Sequence, residues 1–244
     1  MNIALFGGTF DPIHAGHMQA ARAAVRKFRL DQVLFIPTGN PPHKVRDGLT
    51  AFPQRFAMVS LACGENPRFV PSLLEAPTPD GRPRFSVDTV RMAKRQLAPH
   101  GHLFFLLGMD AFLDLPHWKD YRRLLELVDF IVVSRPGFDP GEIRKVVPQE
   151  LFVAERARPR PVPGTRSGPS DRSGTSRGGP ERVCLRHSTV WVLGGVEVSV
   201  ASRDIRQAVR ANRSVTGLVP PLVEQYILKG GLYRPRRGGK HPER

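Results

Sequence analysis

The chain has 244 residues, 40% of them hydrophobic and 24% charged, which fits a soluble globular protein of one domain or one domain with an extension. Its most apolar interior run, "HLFFLLGMDAFLDL", carries Asp110 and Asp114 and so argues against a membrane span, and two distant cysteines, Cys63 and Cys184, exclude a disulfide framework or a cysteine metal site. The net charge of +15 suggests nucleic acid at first, but residues 155–182 hold seven Arg against three acids and residues 234–244 hold five Lys or Arg against one Glu, which leaves a modestly basic body. Nucleic acid is therefore not expected as the principal ligand. With no basic leader before the first apolar run, a reducing cytoplasm is the expected location.

Taken in chain order, "NIALF" reads as a strand that leaves through Gly7 and Gly8, residues that permit a close backbone approach. Asp11-Pro12 is a turn or helix-start signal. From about residue 12 to 28 apolar residues recur at three and four (Met18, Ala21, Val25, Phe28), which predicts a helix with His14 and His17 on one face of its first turn. A helix N-terminus offers free N–H groups and a positive dipole end, so two imidazoles there point to a polyphosphate. "QVLFIP" (32–37) is a second strand, 53–63 a helix, "RFVPS" a short strand and 86–97 a helix. "HLFFLLG" (102–108) and "DFIVVSRPG" (129–137) are strands flanking a helix at 121–127.

Residues 155–182 are Pro, Gly, Ser, Thr and Arg almost throughout and lack the apolar surface to offset ordering entropy, which predicts a disordered insertion. Globular patterning resumes with "STVWVLGG" and "VEVSVAS". A helix over 202–211 follows, with Ser202 as its expected N-cap, and a last helix covers about 220–229 between Pro and Gly230-Gly231. The βαβα alternation predicts an α/β fold: a parallel sheet with helices on both faces, closed by C-terminal helices. Ligands of such sheets lie beyond the carboxyl ends of strands. The chemically suggestive residues, Gly7-Gly8, Pro37-Thr38-Gly39, Gly108-Met109-Asp110 and Ser134-Arg135-Pro136, all fall there.

At "GGTFDPIHAGH" (7–17) the chain resembles the HxGH nucleotidyltransferase superfamily, with His14-Ala15-Gly16-His17 as the motif. Four further segments narrow the resemblance to bacterial nicotinate-nucleotide adenylyltransferase: "FIPTGNPPHK" (35–44), "GMDAFLDLPHWKDYRRLLE" (108–126), "FIVVSRPG" (130–137) and "VASRDIRQAVRANRSVTGLVPPLVEQYILKGGLY" (200–233). It covers 1–154 and 183–233, so the 155–182 insertion and the basic tail at 234–244 stand outside it. The resemblance implies a Rossmann-like fold and transfer of AMP from ATP to nicotinate mononucleotide, with Mg²⁺ required. In the family a hydroxyl-rich "ISSTxIR"-like stretch is usual; here Val200-Ala201-Ser202-Arg203-Asp204-Ile205-Arg206 keeps Ser202 and Arg206 but lacks hydroxyls at 201 and 203.

Carried over residue by residue, the resemblance places Gly7, Gly8, Thr9, Phe10, His14, His17, Arg135, Ser202 and Arg206 around ATP. Lys44 becomes a phosphate contact shared with the acceptor, and His14, His17, Lys44 and Arg206 become the catalytic set. It places Ser86 near the nicotinate, Asp110 on ribose hydroxyls and Trp118 under the pyridine ring. Mg²⁺ is expected to arrive on the ATP phosphates, since the sequence holds no dense carboxylate cluster. Whether the chain forms a homo-oligomer is left open. Competing readings are a sister transferase acting on another phosphorylated acceptor, a class I aminoacyl-tRNA synthetase without its "KMSKS"-like loop, and a nucleic-acid-binding protein using the Arg-rich segment. That segment has no Phe, Tyr or Trp for base stacking.

Overall fold

The computed structural model describes residues 1–39, 48–97, 101–134, 141–152, 182–196 and 200–234. The strands are β1 (Asn2–Gly8), β2 (Gln32–Pro37), β3 (Phe69–Pro71), β4 (His102–Gly108), β5 (Asp129–Val133), β6 (Arg182–Cys184) and β7 (Thr189–Leu193). The α-helices are α1 (Ala15–Phe28), α2 (Phe52–Cys63), α3 (Ser86–Gln96), α4 (Met109–Leu113), α5 (Tyr121–Leu127), α6 (Gly141–Val146), α7 (Ser202–Arg210) and α8 (Pro221–Lys229), with 3₁₀ turns at Leu115–His117 and Gln149–Leu151. The strand order is β3-β2-β1-β4-β5-β7-β6, parallel except where β6 runs against β7.

Both faces of the sheet are covered, which is why its strands read as unbroken apolar runs. Successive side chains alternate between two cores. Ala4, Phe6, Phe35, Phe104, Ile131 and Trp191 point to the side packed by α1, α2, α7 and α8. Ile3, Leu5, Leu34, Phe105, Phe130 and Val190 point to the side packed by α3, α4, α5 and α6. From β1 the chain steps outward to β2 and β3, then crosses back to place β4 on the other side of β1. The switch point of this sheet is therefore the cleft at the carboxyl ends of β1 and β4.

Several boundaries differ from expectation for a physical reason. Helix α1 starts at Ala15, not near Pro12; Asp11-Pro12 is a cis peptide and His14 is an extended N-cap (φ −144°, ψ 171°). The carbonyls of Asp11 and Pro12 accept bonds from Arg206 and Ser202 instead of from the next helical turn. Ser202 is accordingly not the N-cap of α7 but its first residue, after Ala201. Strand β5 stops at Val133, and Arg182, grouped with the insertion, already belongs to β6. Residues 155–181 and 235–244, and the middle of "VEVSVAS", lie outside the described residues.

Candidate active site

The site is built on the turn that joins β1 to α1. Gly8 ends the strand, and its carbonyl accepts the Thr38 N–H at 2.9 Å and the Thr38 hydroxyl at 3.3 Å. A Cβ at Gly8 would come within 3.0 Å of the Phe10 ring, so glycine is what lets the turn close. Phe10 itself adopts a left-handed backbone (φ +48°) and drives its ring into the core, edge-on to Phe6 at 5.6 Å and to His17 at 5.0 Å. What Phe10 can offer a ligand is its backbone, not its side chain.

Behind the turn sits Arg55, on α2 and only 1% exposed. Its guanidinium donates to the carbonyls of Thr50 (2.9 Å), Thr9 (2.8 Å), Thr38 (2.8 Å) and Gly39 (3.4 Å), which clamps the carboxyl ends of β1 and β2 together. Burial lowers its pKa, opposed by the nearby Asp11 charge and Tyr233. Asp11 is a second junction. Its carboxylate accepts from the Tyr233 hydroxyl at 2.7 Å and the Thr50 N–H at 3.4 Å, and its carbonyl accepts from Arg206 at 2.6 Å.

The two motif histidines stack on each other, with ring centroids 3.6 Å apart and planes 29° apart. The His14 N–H donates to Nδ1 of His17 at 3.2 Å, which assigns the His17 proton to Nε2. Burial pulls the His14 pKa down to about 4, with Asp204 partly opposing, and holds His17 well below its ordinary value, reinforced by His14. Both rings are therefore neutral at pH 7 and act as N–H donors and polarisable walls, not as fixed cations. Nδ1 of His14 is buried without a hydrogen bond of standard geometry among the described residues, and the His14 side chain faces the His17 backbone N–H in a capping box.

The turn before α1 is bonded to the start of a second helix. His14 caps α1, and the Ser202 hydroxyl at the start of α7 donates to the Pro12 carbonyl at 2.9 Å. Arg206, one turn further along α7, spends one Nη on Asp11 and keeps the rest of its fork for other acceptors. Gly7, Gly8, Thr9, His14, His17, Ser202 and Arg206 are thus brought together by the fold. Lys44 and Arg135 lie outside the described residues.

The acceptor candidates stand on the β4 side of the cleft. Asp110 is exposed on α4, directly after β4. Trp118 follows the 3₁₀ turn, half-buried, with its edge toward Phe105 of β4 (6.2 Å) and its N–H donating to Asp114 at 3.3 Å. Ser86 is the first residue of α3; the N-cap is Phe85, whose ring carries the Lys119 ammonium at 4.3 Å. That contact joins the Ser86 and Trp118 segments. Beneath them Glu75 is buried and accepts the Thr89 hydroxyl at 2.9 Å. Burial pushes its carboxyl up to about 7, against the pull of hydrogen bonds from Thr89 and Thr38 and of the Arg84 charge.

Sequence reasoning passed over Asp11, Arg55, Glu75 and Tyr233. Arg55 had one signal: it is the lone charged residue in "FPQRFAMVSLAC". Asp11 shows only as part of the Asp11-Pro12 turn signal, Tyr233 only as part of the 200–233 segment, and Glu75 carries no signal. Among the described residues no group of three or more His, Cys, Asp or Glu could hold a metal ion.

Residues 5–167 match the cytidylyltransferase-like family model. Over 235 residues the chain is 36% identical to the probable nicotinate-nucleotide adenylyltransferase of Geobacter sulfurreducens, covering 96% of this chain and 98% of that protein. It is 38% identical over 235 residues to a probable nicotinate-nucleotide adenylyltransferase of Thermus thermophilus, covering 96% and 100%. Among solved structures, Plasmodium falciparum nicotinic acid mononucleotide adenylyltransferase complexed with NaAD superimposes with a TM-score of 0.64 at 17% identity, over 95% of this chain and 97% of that one. The same enzyme complexed with APC gives a TM-score of 0.64 at 18% identity, over 95% and 96%. At such identities the structural likeness establishes the fold, an α/β Rossmann-like sheet.

Proposed function

The chain belongs to the cytidylyltransferase-like family, among its nicotinate-nucleotide adenylyltransferases, and from that premise we infer that it transfers AMP from ATP to nicotinate mononucleotide, a step of NAD biosynthesis. A phosphate oxygen of the mononucleotide attacks the α-phosphorus of ATP, the bond to the α–β bridging oxygen breaks, and pyrophosphate leaves with that oxygen and its electron pair. The products are deamido-NAD and pyrophosphate. A phosphate monoester with a second pKa of about 6 is already largely ionised at pH 7, so no general base is needed. The task of the protein is to hold two anions in line and to stabilise charge as it moves onto the leaving group.

The observation that carries this reading is the neutral His14–His17 stack at the N-terminus of α1, on a turn to which the N-terminus of α7 is also bonded. His14 and His17 would donate to the triphosphate, where N–H donors serve without charging a desolvated ring. The backbone at Gly7, Gly8 and Thr9 would approach the nucleotide closely. Arg206 would take the β- and γ-phosphates with the part of its fork not used on Asp11, and the Ser202 end of α7 would add its dipole. Lys44 and Arg135 remain phosphate contacts proposed from sequence. Asp110 would accept ribose hydroxyls, Trp118 would stack on the pyridine ring, and Ser86 at the α3 N-terminus would face its carboxylate. Mg²⁺ would enter on ATP as part of the substrate and neutralise phosphate charge there.

No helix among the described residues is long and apolar enough to cross a membrane. The test is product formation: purified protein, Mg-ATP and nicotinate mononucleotide should yield deamido-NAD and pyrophosphate in equal amounts. Release of pyrophosphate only with a different phosphorylated acceptor would move the chain to a sister activity.

A further inference from the structure

Tyr233 lies 222 positions after Asp11, beyond the last helix, yet its hydroxyl donates to the Asp11 carboxylate at 2.7 Å. The chain is turned to deliver it there. After α8 the Gly230 N–H bonds to Tyr226 and the Leu232 N–H to Ile227, Gly231 and Tyr233 both take left-handed backbones (φ +60° and +64°), and the tyrosine packs against the α1/α2 core. A left-handed backbone is uncommon for a bulky residue, so the docked ring is what holds that conformation. Burial, next to the Asp11 charge, raises the phenol's pKa, so it stays an O–H donor throughout the neutral range.

We propose that Tyr233 is a positioning residue for the His14–His17 pair, acting through the Asp11 carboxylate. Asp11 is buried and stands three residues before His14. The other hydrogen bond described to its carboxylate, from the Thr50 N–H, is long at 3.4 Å. Removal of the phenolic hydroxyl leaves a buried carboxylate short of a donor, and the whole 9–14 turn must adjust to satisfy it. His14 follows such a shift and carries His17 with it, because its backbone N–H donates to Nδ1 of His17 and the two rings are stacked. The ring's place is set by the turn behind it and by the stack on His17. The C-terminal turn therefore holds the catalytic turn in register.

The kinetic half of this inference rests on the proposed adenylyl transfer; the spectroscopic half does not. Tyr233→Phe removes one oxygen and keeps the ring. It should lower kcat by about tenfold to a hundredfold, the loss that a misplacement of up to 1 Å produces, with KM for the acceptor nearly unchanged. In a His14→Ala background the same change should cost no further kcat, since the two residues act as one unit. In the substrate-free protein, the ring nitrogen NMR signals of His14 and His17 should shift in Tyr233→Phe, and Asp11→Asn should produce the same pattern. Unchanged kcat with unchanged ring signals, or losses that multiply in the double variant, would overturn the proposal. If the wild type adenylates no acceptor, the functional reading fails, while the ring signals still decide whether Tyr233 positions the pair.

Discussion

The two ends of the parallel sheet each hold a histidine beside a buried polar group, and they are finished in opposite ways. At the amino end, Nε2 of His102 pairs with Asp129 at 2.7 Å, and the other Asp129 oxygen accepts the Thr189 N–H at 2.7 Å. The Ser188 hydroxyl beside them donates to the Leu125 carbonyl. That end is closed on itself. At the carboxyl end, the surrounding turn is bound just as tightly by Arg55, Asp11, Arg206 and Ser202, but the histidines it presents are neutral and stacked on each other, with no carboxylate partner among the described residues. Polar groups that satisfy each other build architecture. A rigid turn that presents neutral imidazoles without a carboxylate of their own is suited to an anion that arrives.

The largest expected effect separates these ends by function. His17→Ala should lower turnover by about a hundredfold to a thousandfold, the range for removing one donor from a charge-stabilising site, and should leave the fold intact at a cost of about 1–3 kcal/mol for the His14 N–H it strands. The mirror change at the other end, Asp129→Ala, strands the Thr189 N–H and the His102 ring. It should destabilise the fold by about 2–4 kcal/mol while the folded fraction keeps its kcat. Urea unfolding measured beside single-turnover rates checks both; an Asp129→Ala enzyme that is stable but slow would break the contrast.

The pH dependence of stability sharpens it. His14 binds its proton at about 4 in the native chain but at its ordinary value of 6.5 when unfolded. Between those values the unfolded state holds more protons, so stability falls as pH drops from 6.5 toward 4, by up to about 3 kcal/mol from this group. Glu75 works in the opposite direction. Its carboxyl is raised from 4.5 to about 7, the native state holds the extra proton between those values, and stability falls as pH rises through them. The two windows overlap between pH 4.5 and 6.5, where the contributions oppose each other, so urea midpoints from pH 4 to 8 should show a steeper acid-side loss in Glu75→Gln and a flattened or reversed one in His14→Ala.

Much of this layout is legible in the residues. Period-two alternation inside continuous apolar strands, broken by helix-period segments, marks a two-sided sheet, and the strand ends it defines already collect Gly7-Gly8, Thr38 and Asp110. The HxGH spacing marks the histidines. What escapes is the scaffold of the turn. Arg55 donates to four backbone carbonyls, and a carbonyl leaves no trace in sequence. Tyr233 meets Asp11 across nearly the whole chain, beyond any local pattern. Ser202 reads as an N-cap because serine prefers that position, yet its hydroxyl is used on Pro12 of another segment, so a tertiary contact overrides the local preference.

Smaller effects concern the acceptor side. Trp118→Ala should lower kcat/KM about tenfold for nicotinate and nicotinamide mononucleotides alike, since ring stacking is worth about 1–3 kcal/mol and serves either ring. Least of all should come from replacing 155–181 with a short flexible linker: adenylyl transfer should be unchanged, and a variant that folds but no longer binds ATP would draw that segment into the site.

The central claim is that the open carboxyl end serves adenylyl transfer to an acceptor bearing a ring carboxylate. The α3 N-terminus that begins at Ser86 presents N–H donors, which a carboxylate satisfies and an amide NH₂ does not. Each unsatisfied buried donor costs about 1–3 kcal/mol, so two give roughly a hundredfold discrimination. The most direct measurement is kcat/KM for pyrophosphate release from Mg-ATP with nicotinate mononucleotide and, separately, with nicotinamide mononucleotide. The account predicts a preference of about a hundredfold for the acid; equal values for the two acceptors, or no pyrophosphate from either, would contradict it.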